Sequence, residues 1–200
     1  MTIRLSLYPK LRVRFMGQFP SELVRSVVVG ELNFALGTAS SANTDITVMP
    51  FAQAPLYAAM PENHPAAENG SIELQALAED EWILFPKRLH PVVHDAVMEL
   101  ARRDGITPKC VHAAVTAEQA VQLVSEQVGV GIISKPHPLA FRAKGVILKP
   151  FSDKSLWFQT CVIMWKDDDS RLTNHFVRSF LRKFTLPLHA GCQMELSLSA

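Results

Sequence analysis

The sequence predicts an α/β layered fold with largely parallel strand pairing. Three observations carry that prediction: strand-like and helix-like patterns alternate, several helix candidates have clear start and stop residues, and one stretch, Thr116 to Pro136, reads as a helix feeding straight into a buried strand. In that stretch Thr116 and Gln119 have capping-box spacing, in which the hydroxyl takes an orphan amide and the glutamine side chain reaches back to the cap residue. Ala120, Val121, Val124 and Val128 form one apolar stripe, with Glu118, Gln122, Ser125 and Glu126 on the wet side. Gly129 is expected to end the helix in the left-handed conformation, and Gly131 to permit a close turn into Ile132, Ile133 and Ser134 before Pro136. A capped N-terminus facing open space offers free N–H donors and partial positive charge, which suits a small carboxylate. Many such termini in layered folds hold no ligand.

The remaining elements follow in order. Leu11 to Phe15 alternate apolar and basic residues as a strand does. Pro20 suits an early helical position, Leu23, Val24 and Val27 supply the buried stripe, and Gly30 ends that helix. Asn33 to Leu36 reads as a strand and Gly37 to Thr44 as a loop. Thr47 to Phe51 and Leu56 to Met60 read as two short strands separated by A-Q-A-P, and Pro61 to Pro65 as a turn. Ser71 is placed as the cap of a short helix through Ala78, before an apolar strand from Trp82 to Phe85. A helix is expected from Pro91 to Arg103 with Gly105 as its stop, then strands at Lys109 to Val115, Val146 to Phe151 and Trp157 to Trp165. Asp167, Asp168 and Asp169 place negative charge ahead of a last helix, Arg171 to Phe184.

Composition narrows the function classes. Lys plus Arg number 20 against 19 Asp plus Glu, so no global basic field is available to hold nucleic acid by phosphate neutralisation. Cys110, Cys161 and Cys192 are an odd, widely spaced set, which suits reduced thiols in the cytoplasm and gives no structural zinc pattern. The first residues lack the apolar centre of a signal peptide, and no apolar run is long enough to span a bilayer, so no membrane partner is expected. His90 and His94 are four apart beside Asp95, but Pro91 marks the helix start and puts His90 outside it, so no metal site is expected. Gly129 and Gly131 lack a third spaced glycine and follow a helix, so no dinucleotide fingerprint, and hence no cofactor, is read there. The scattered serines, histidines and aspartates nominate no catalytic triad, and no enzymatic activity is expected.

Three segments carry a family resemblance. They are Y-P followed by L-R-V-R-F and S-E-L-V-R-S-V-V-V-G-E-L-N-F-A-L, then W-I-L-F-P-K-R with H-D-A-V-M-E-L-A-R-R-D-G-I-T-P, and V-S-E-Q-V-G-V-G-I-I-S-K-P. In this order they resemble the effector-binding domain of LysR-type transcriptional regulators over about residues 8 to 184. Asn33 stands where the family usually has aspartate, and Ser134 with Lys135 where leucine usually precedes the proline. The resemblance implies a two-lobed periplasmic-binding-protein-like fold, with lobe I over residues 1–85, lobe II over 86–152, a return to lobe I over 153–185 and a C-terminal tail over 186–200. Nothing ahead of Leu11 reads as the family's winged helix-turn-helix, and the opening strand of lobe I is expected to be missing. The implied function is binding of a small, anionic effector between the lobes, in a homodimer that reaches DNA only through a winged helix-turn-helix not present in this chain. A fragment without independent activity and a solute-binding module are the alternatives. The candidate effector contacts are Gln18 and Phe19 before the first helix, Pro86, Lys87 and Arg88 at the crossover, Thr116 at the cap, and Ser134 at the strand end. Lys87 and Arg88 suit an acidic group and equally suit a solvated turn.

Overall fold

The computed structural model describes residues 13–38, 43–109, 111–134 and 143–184, and within these the chain builds two sheets, one per lobe. Lobe I holds a three-stranded sheet in the order β1 (Ala35–Gly37), β8 (Trp157–Trp165), β2 (Ile46–Pro55), with both neighbours antiparallel to β8. Helix α1 (Pro20–Val28) covers one face, where Leu23 and Val27 meet Ala35, Ile46, Cys161 and Ile163. Helix α4 (Arg171–Phe184) is tied to the other face by Val177, Phe176 and Phe180, which pack with Val162, Met164 and Phe34. Its start is fixed by local polar groups: the Ser170 amide donates to Asp168 Oδ1 at 2.9 Å, and the Thr173 amide donates to Ser170 Oγ at 3.2 Å.

Lobe II holds a five-stranded sheet in the order β5 (Val111–Ala113), β4 (Trp82–Leu84), β6 (Val130–Ile133), β3 (Tyr57–Pro61), β7 (Val146–Pro150). Helix α2 (Pro91–Arg103) buries Val93, Val97, Leu100 and Ala101 on the same core that α3 (Ala117–Ser125) enters with Ala120, Val121 and Val124. Proline at the first helical position starts α1 and α2 as the sequence indicates, and Gly30 and Gly105 follow them with φ of +78° and +69°.

Several expectations are corrected. Only the β4 pairings with β5 and β6 are parallel among the described ladders; the other four are antiparallel, so pairing is mixed rather than largely parallel. The cause is β8, a long return strand that takes β1 and β2 as antiparallel neighbours, and β3, which runs against both of its own. The strand expected at Leu11 to Phe15 does not form in its described part: residues 13–19 have no regular structure, and Phe15 is 52% exposed. Leu11 and Arg12 lie outside the described residues. The A-Q-A-P segment is not a loop but the second half of β2, paired from Ala52↔Thr160 to Pro55↔Trp157. Two prolines are tolerated in β2 because it is an edge strand, where a missing N–H removes no ladder bond on the open side. A bulge between Pro50 and Ala52 skips Phe51, whose ring sits edge-on against Phe180 with centroids 5.5 Å apart.

Ser71 does not cap a helix. A 3₁₀ turn runs from Leu74–Leu77 instead, because Ile72 is held in a bridge to Phe151, its amide on the Pro150 carbonyl at 3.0 Å. Gly129 is not the left-handed helix stop; Gln127 takes that role with φ of 62°. Glycine is needed at 129 because the Glu81 backbone carbonyl, which accepts the Val130 amide at 2.8 Å, passes where a Cβ would lie. Gly131 likewise serves packing rather than a turn, since a Cβ there would meet the Ala59 side chain at 3.3 Å. The sheets divide between β2 and β3, at Leu56, so residues 57–84 belong with lobe II rather than with the expected lobe I of 1–85. The tail at 186–200 lies outside the described residues.

Candidate functional site

Strand direction decides where a ligand can be received. β4, β5 and β6 run parallel, with Leu84 opposite both Ala113 and Ile132, so their C-terminal ends emerge on one edge of lobe II. Pro86, Lys87 and Arg88 follow β4 there, Thr116 follows β5, and Ser134 follows β6, exposed. Open α/β sheets bind ligands outside such strand ends. Tyr57, opposite Ile133 at the start of β3, adds a fourth strand to this edge.

The first helix of lobe I comes to the same place. The Ser21 amide in the first turn of α1 donates to the Leu89 carbonyl at 3.2 Å, a direct bond between lobe I and the turn after β4. That turn is closed on Pro86, whose carbonyl accepts the amides of Leu89 at 2.9 Å and His90 at 3.0 Å. Phe19, half-exposed just ahead of α1, meets His90 edge-on at 6.2 Å, and the His90 ring stacks on buried Phe85 at 4.5 Å. Burial pushes the His90 imidazole below its ordinary pKa, and hydrogen bonding to the Val115 backbone only partly offsets this. His90 thus joins α1, the β4–α2 turn and the segment leading to Thr116.

At the α3 terminus Thr116 Oγ1 accepts the Gln119 amide at 3.1 Å. The Gln119 side chain accepts the Val115 amide at 2.8 Å rather than returning to Thr116, a shift of one residue from the expected capping box. The amides of Thr116, Ala117 and Glu118 have no acceptor among the described residues. Those are the donors a carboxylate can take. Replacing Thr116 with valine should cost about 1 kcal/mol of stability through the lost cap, and Thr116→Ser should cost little. Urea unfolding of the two variants measures this.

The Ser21–Leu89 bond and the Phe19–His90 contact bring the start of α1 against the turn that contains Pro86, Lys87 and Arg88, and His90 reaches the Val115 backbone next to Thr116; Gln18 has no described contact to the others. Ser134 shares the strand-end edge, without a described contact to the others. Lys87 is not a free cation: its ammonium lies 2.9 Å from Asp95 on α2 and holds that carboxyl below its usual range. Arg88, exposed, has no ion pair among the described residues. Phe85, Ser21 and Leu89 escaped the sequence reading, because a phenylalanine ending an apolar strand looks like core and backbone amides and carbonyls carry no sequence signal. The signal for His90 was its place directly before Pro91, which puts its ring beyond the helix start. Among the described residues no cluster of metal-ligating side chains is present.

A separate cavity of about 380 Å³ lies between the end of α2 and the segment joining β7 to β8, lined by Glu73, Leu74, Leu100, Arg103, Asp104 and Asp153. Arg103 already serves two carboxylates there, Asp153 at 2.6 Å and Asp104 at 3.0 Å. The Ser155 hydroxyl and amide, and then Arg103, hold the Asp153 carboxyl down at about 2. A depressed carboxylate stabilises the fold fully above its unfolded value of 3.8, and that contribution is lost as pH falls through about 2. Asp153→Asn should therefore flatten the acid limb of a stability–pH profile between 3.8 and about 2, as followed by chemical unfolding.

Comparison with known proteins agrees with this architecture: the family model for the LysR substrate binding domain matches residues 5–185. The chain belongs to the LysR substrate-binding domain family. An uncharacterized HTH-type transcriptional regulator, YnfL of Escherichia coli (strain K12), is 25% identical over 126 residues, covering 63% of this chain and 42% of that protein. Among solved structures, the effector-binding domain of QuiR in complex with shikimate is similar, with a TM-score of 0.77 at 20% identity, covering 90% of this chain and 85% of that one. The BenM effector-binding domain with its effector benzoate gives a TM-score of 0.72 at 16% identity, with 91% and 85% covered. At these identities the likeness to the solved structures is one of fold. This LysR substrate-binding domain spans 42% and 56% of the length of two curated relatives that it matches. No helix among its described residues is long and apolar enough to cross a membrane.

Proposed function

We propose that this domain is a cytoplasmic sensor that binds a small carboxylate between its two lobes. Bound effector would then control transcription through a winged helix-turn-helix outside this chain, in a homodimeric regulator. The observation that carries the reading is the convergence of three parallel strand ends, the open α3 N-terminus and the first turn of α1 at one place, tied across the lobes by the Ser21–Leu89 bond. The carboxylate is received by the free amides of the α3 terminus, with Arg88 and Ser134 adding charge and a hydroxyl from the neighbouring strand ends. The solved relatives with shikimate and benzoate bound support a ring carboxylate as the ligand type. Such a ligand contacts both lobes, so it favours the lobe arrangement in which both walls reach it, and only by its differential affinity for that arrangement.

Thermal unfolding with a panel of aromatic and alicyclic carboxylates tests this. A ligand at about 100 times its Kd adds about 2.7 kcal/mol, which at this size raises Tm by about 5–10 °C. If no carboxylate shifts a cooperative melt, the reading fails.

A further inference from the structure

We propose that His90 is the clasp between the two lobes and that its protonation releases the clasp, so that acidification alone shifts the lobe arrangement. The proposal goes beyond effector binding and needs no ligand.

The lobes are joined in two ways. The chain crosses between the sheets at Leu56 and again between β7 and β8, and the crossings are bonded to each other: the Leu56 amide donates to the Leu156 carbonyl at 2.8 Å, and the Phe151 amide to the Leu56 carbonyl at 3.0 Å. Such element-terminal connections are where a hinge absorbs motion. Away from the crossings, among the described residues, the start of α1 meets the turn after β4 through the Ser21–Leu89 bond at 3.2 Å and the Phe19–His90 ring contact at 6.2 Å. One backbone bond and one edge-on ring pair are a small set, and a modest change at either can part them.

His90 has partners of two kinds. Within lobe II its ring stacks on Phe85 at 4.5 Å and reaches the Val115 backbone. These stay with it when the lobes part, so the attraction of the Phe85 face for a cation is the same in both arrangements. Phe19 belongs to lobe I, and parting the lobes removes it and lets water reach the imidazole. Burial holds His90 below its ordinary value of 6.5, so the arrangement that uncovers the ring takes up a proton more readily. The clasp therefore has its full strength above 6.5, where the imidazole is neutral in either arrangement, and loses it as pH falls below that value.

Charged neighbours do not set this behaviour. The titratable side chains at the near ends of the surrounding elements are Arg14 and Glu22 on either side of Phe19, Lys87 and Arg88 in the turn, His94 and Asp95 on α2, and Glu118 on α3. None of them contributes to the lowering at His90, and Lys87 and Asp95 neutralise one another at 2.9 Å. In a regulator of the kind proposed above, such a clasp makes the lobe arrangement answer to protons as well as to the effector.

Amide hydrogen exchange followed by NMR on the unliganded chain, at about pH 7.5 and about pH 5.5, tests the proposal, with protection corrected for the intrinsic rate at each pH. The Ser21 amide, which reports the lobe contact, should lose protection about threefold or more at the lower pH, whereas the Leu56 amide at the crossing should not. His90→Phe keeps an aromatic ring that cannot titrate and should abolish the loss at Ser21. Where His90→Phe does not fold, His90→Gln, neutral at both pH values, takes its place. Phe19→Ala should leave Ser21 poorly protected at both pH values and bring the titration of the His90 ring, followed at its Cε1–H resonance, back toward 6.5. Melting curves at both pH values establish that each variant is folded. Wild-type Ser21 protection that stays constant or rises with acid overturns the proposal, as does a loss that survives the His90 substitution. So does a His90 titration that is the same with and without Phe19, or a matched loss at Ser21 and Leu56, which would report general unfolding rather than release of one contact.

Discussion

Replacing Trp82 with alanine is expected to lower the unfolding free energy by about 3–5 kcal/mol in a urea titration. The ring is fully buried at the start of β4, in the core shared by α2 and α3, and its Nε1–H donates to the Leu77 carbonyl at 2.7 Å. Truncation removes the largest fully buried side chain described and leaves a cavity under the central strand of the parallel set. It also removes one of the two bonds on the Leu77 carbonyl, which keeps the Asp80 amide at 3.2 Å. Trp82→Phe separates the two effects: most of the bulk stays while the bond is lost, for about 0.5–1.5 kcal/mol. A Trp82→Phe variant as stable as the wild type would mean that the Asp80 amide alone satisfies the Leu77 carbonyl.

Gly129→Ala is expected to cost about 1–3 kcal/mol and to weaken effector binding at the same time. The added methyl meets the Glu81 backbone carbonyl, which cannot rotate away because it anchors the Val130 amide and so sets the β4–β6 register. Relief requires β6 to move against β4, and that motion carries Ser134 with it, at the strand end where the ligand is proposed to sit. Gln127→Gly is the control. Gln127 already sits at φ of 62°, where glycine is relaxed, so that variant should be neutral or slightly stabilising. Urea unfolding and ligand titration on the two variants separate a packing role at 129 from a helix-stop role; equal, small effects from both would contradict the packing role.

The contrast between those two glycine-adjacent positions shows which features were legible in the sequence. α2, β8 and α4 have the bounds that their periodicity and starting residues indicate, because proline at a first turn and a nine-residue apolar strand are local signals. Gly129 was recognisable as a special position, but its reason was not, because a passing carbonyl from residue 81 is a tertiary fact. The length of β2 was hidden for the same reason: A-Q-A-P looks like a loop until β8 supplies partners for it. Residues 13–15 failed the other way, since a strand pattern without a described neighbour to pair with forms no strand. At the site, the strand-end residues could be nominated from chain order, whereas the Phe19–His90–Phe85 contact joins residues whose individual patterns read as helix lead-in, helix boundary and core.

The β2–β8 ladder also bears on how the chain reaches this structure. It pairs residues more than a hundred positions apart, from Ile46↔Trp165 to Pro55↔Trp157, and the strands and helices described between them, from β3 to β7, build the other sheet and its core. Lobe II is thus an uninterrupted insertion, whereas lobe I is assembled from two separated pieces. During synthesis the insertion can complete its core while lobe I still lacks its middle strand, and closing that long loop falls later and more slowly. Until Trp165 has left the ribosome, β1 and β2 have no strand between them, and their edges are the part of this protein most exposed to pairing with the wrong neighbour.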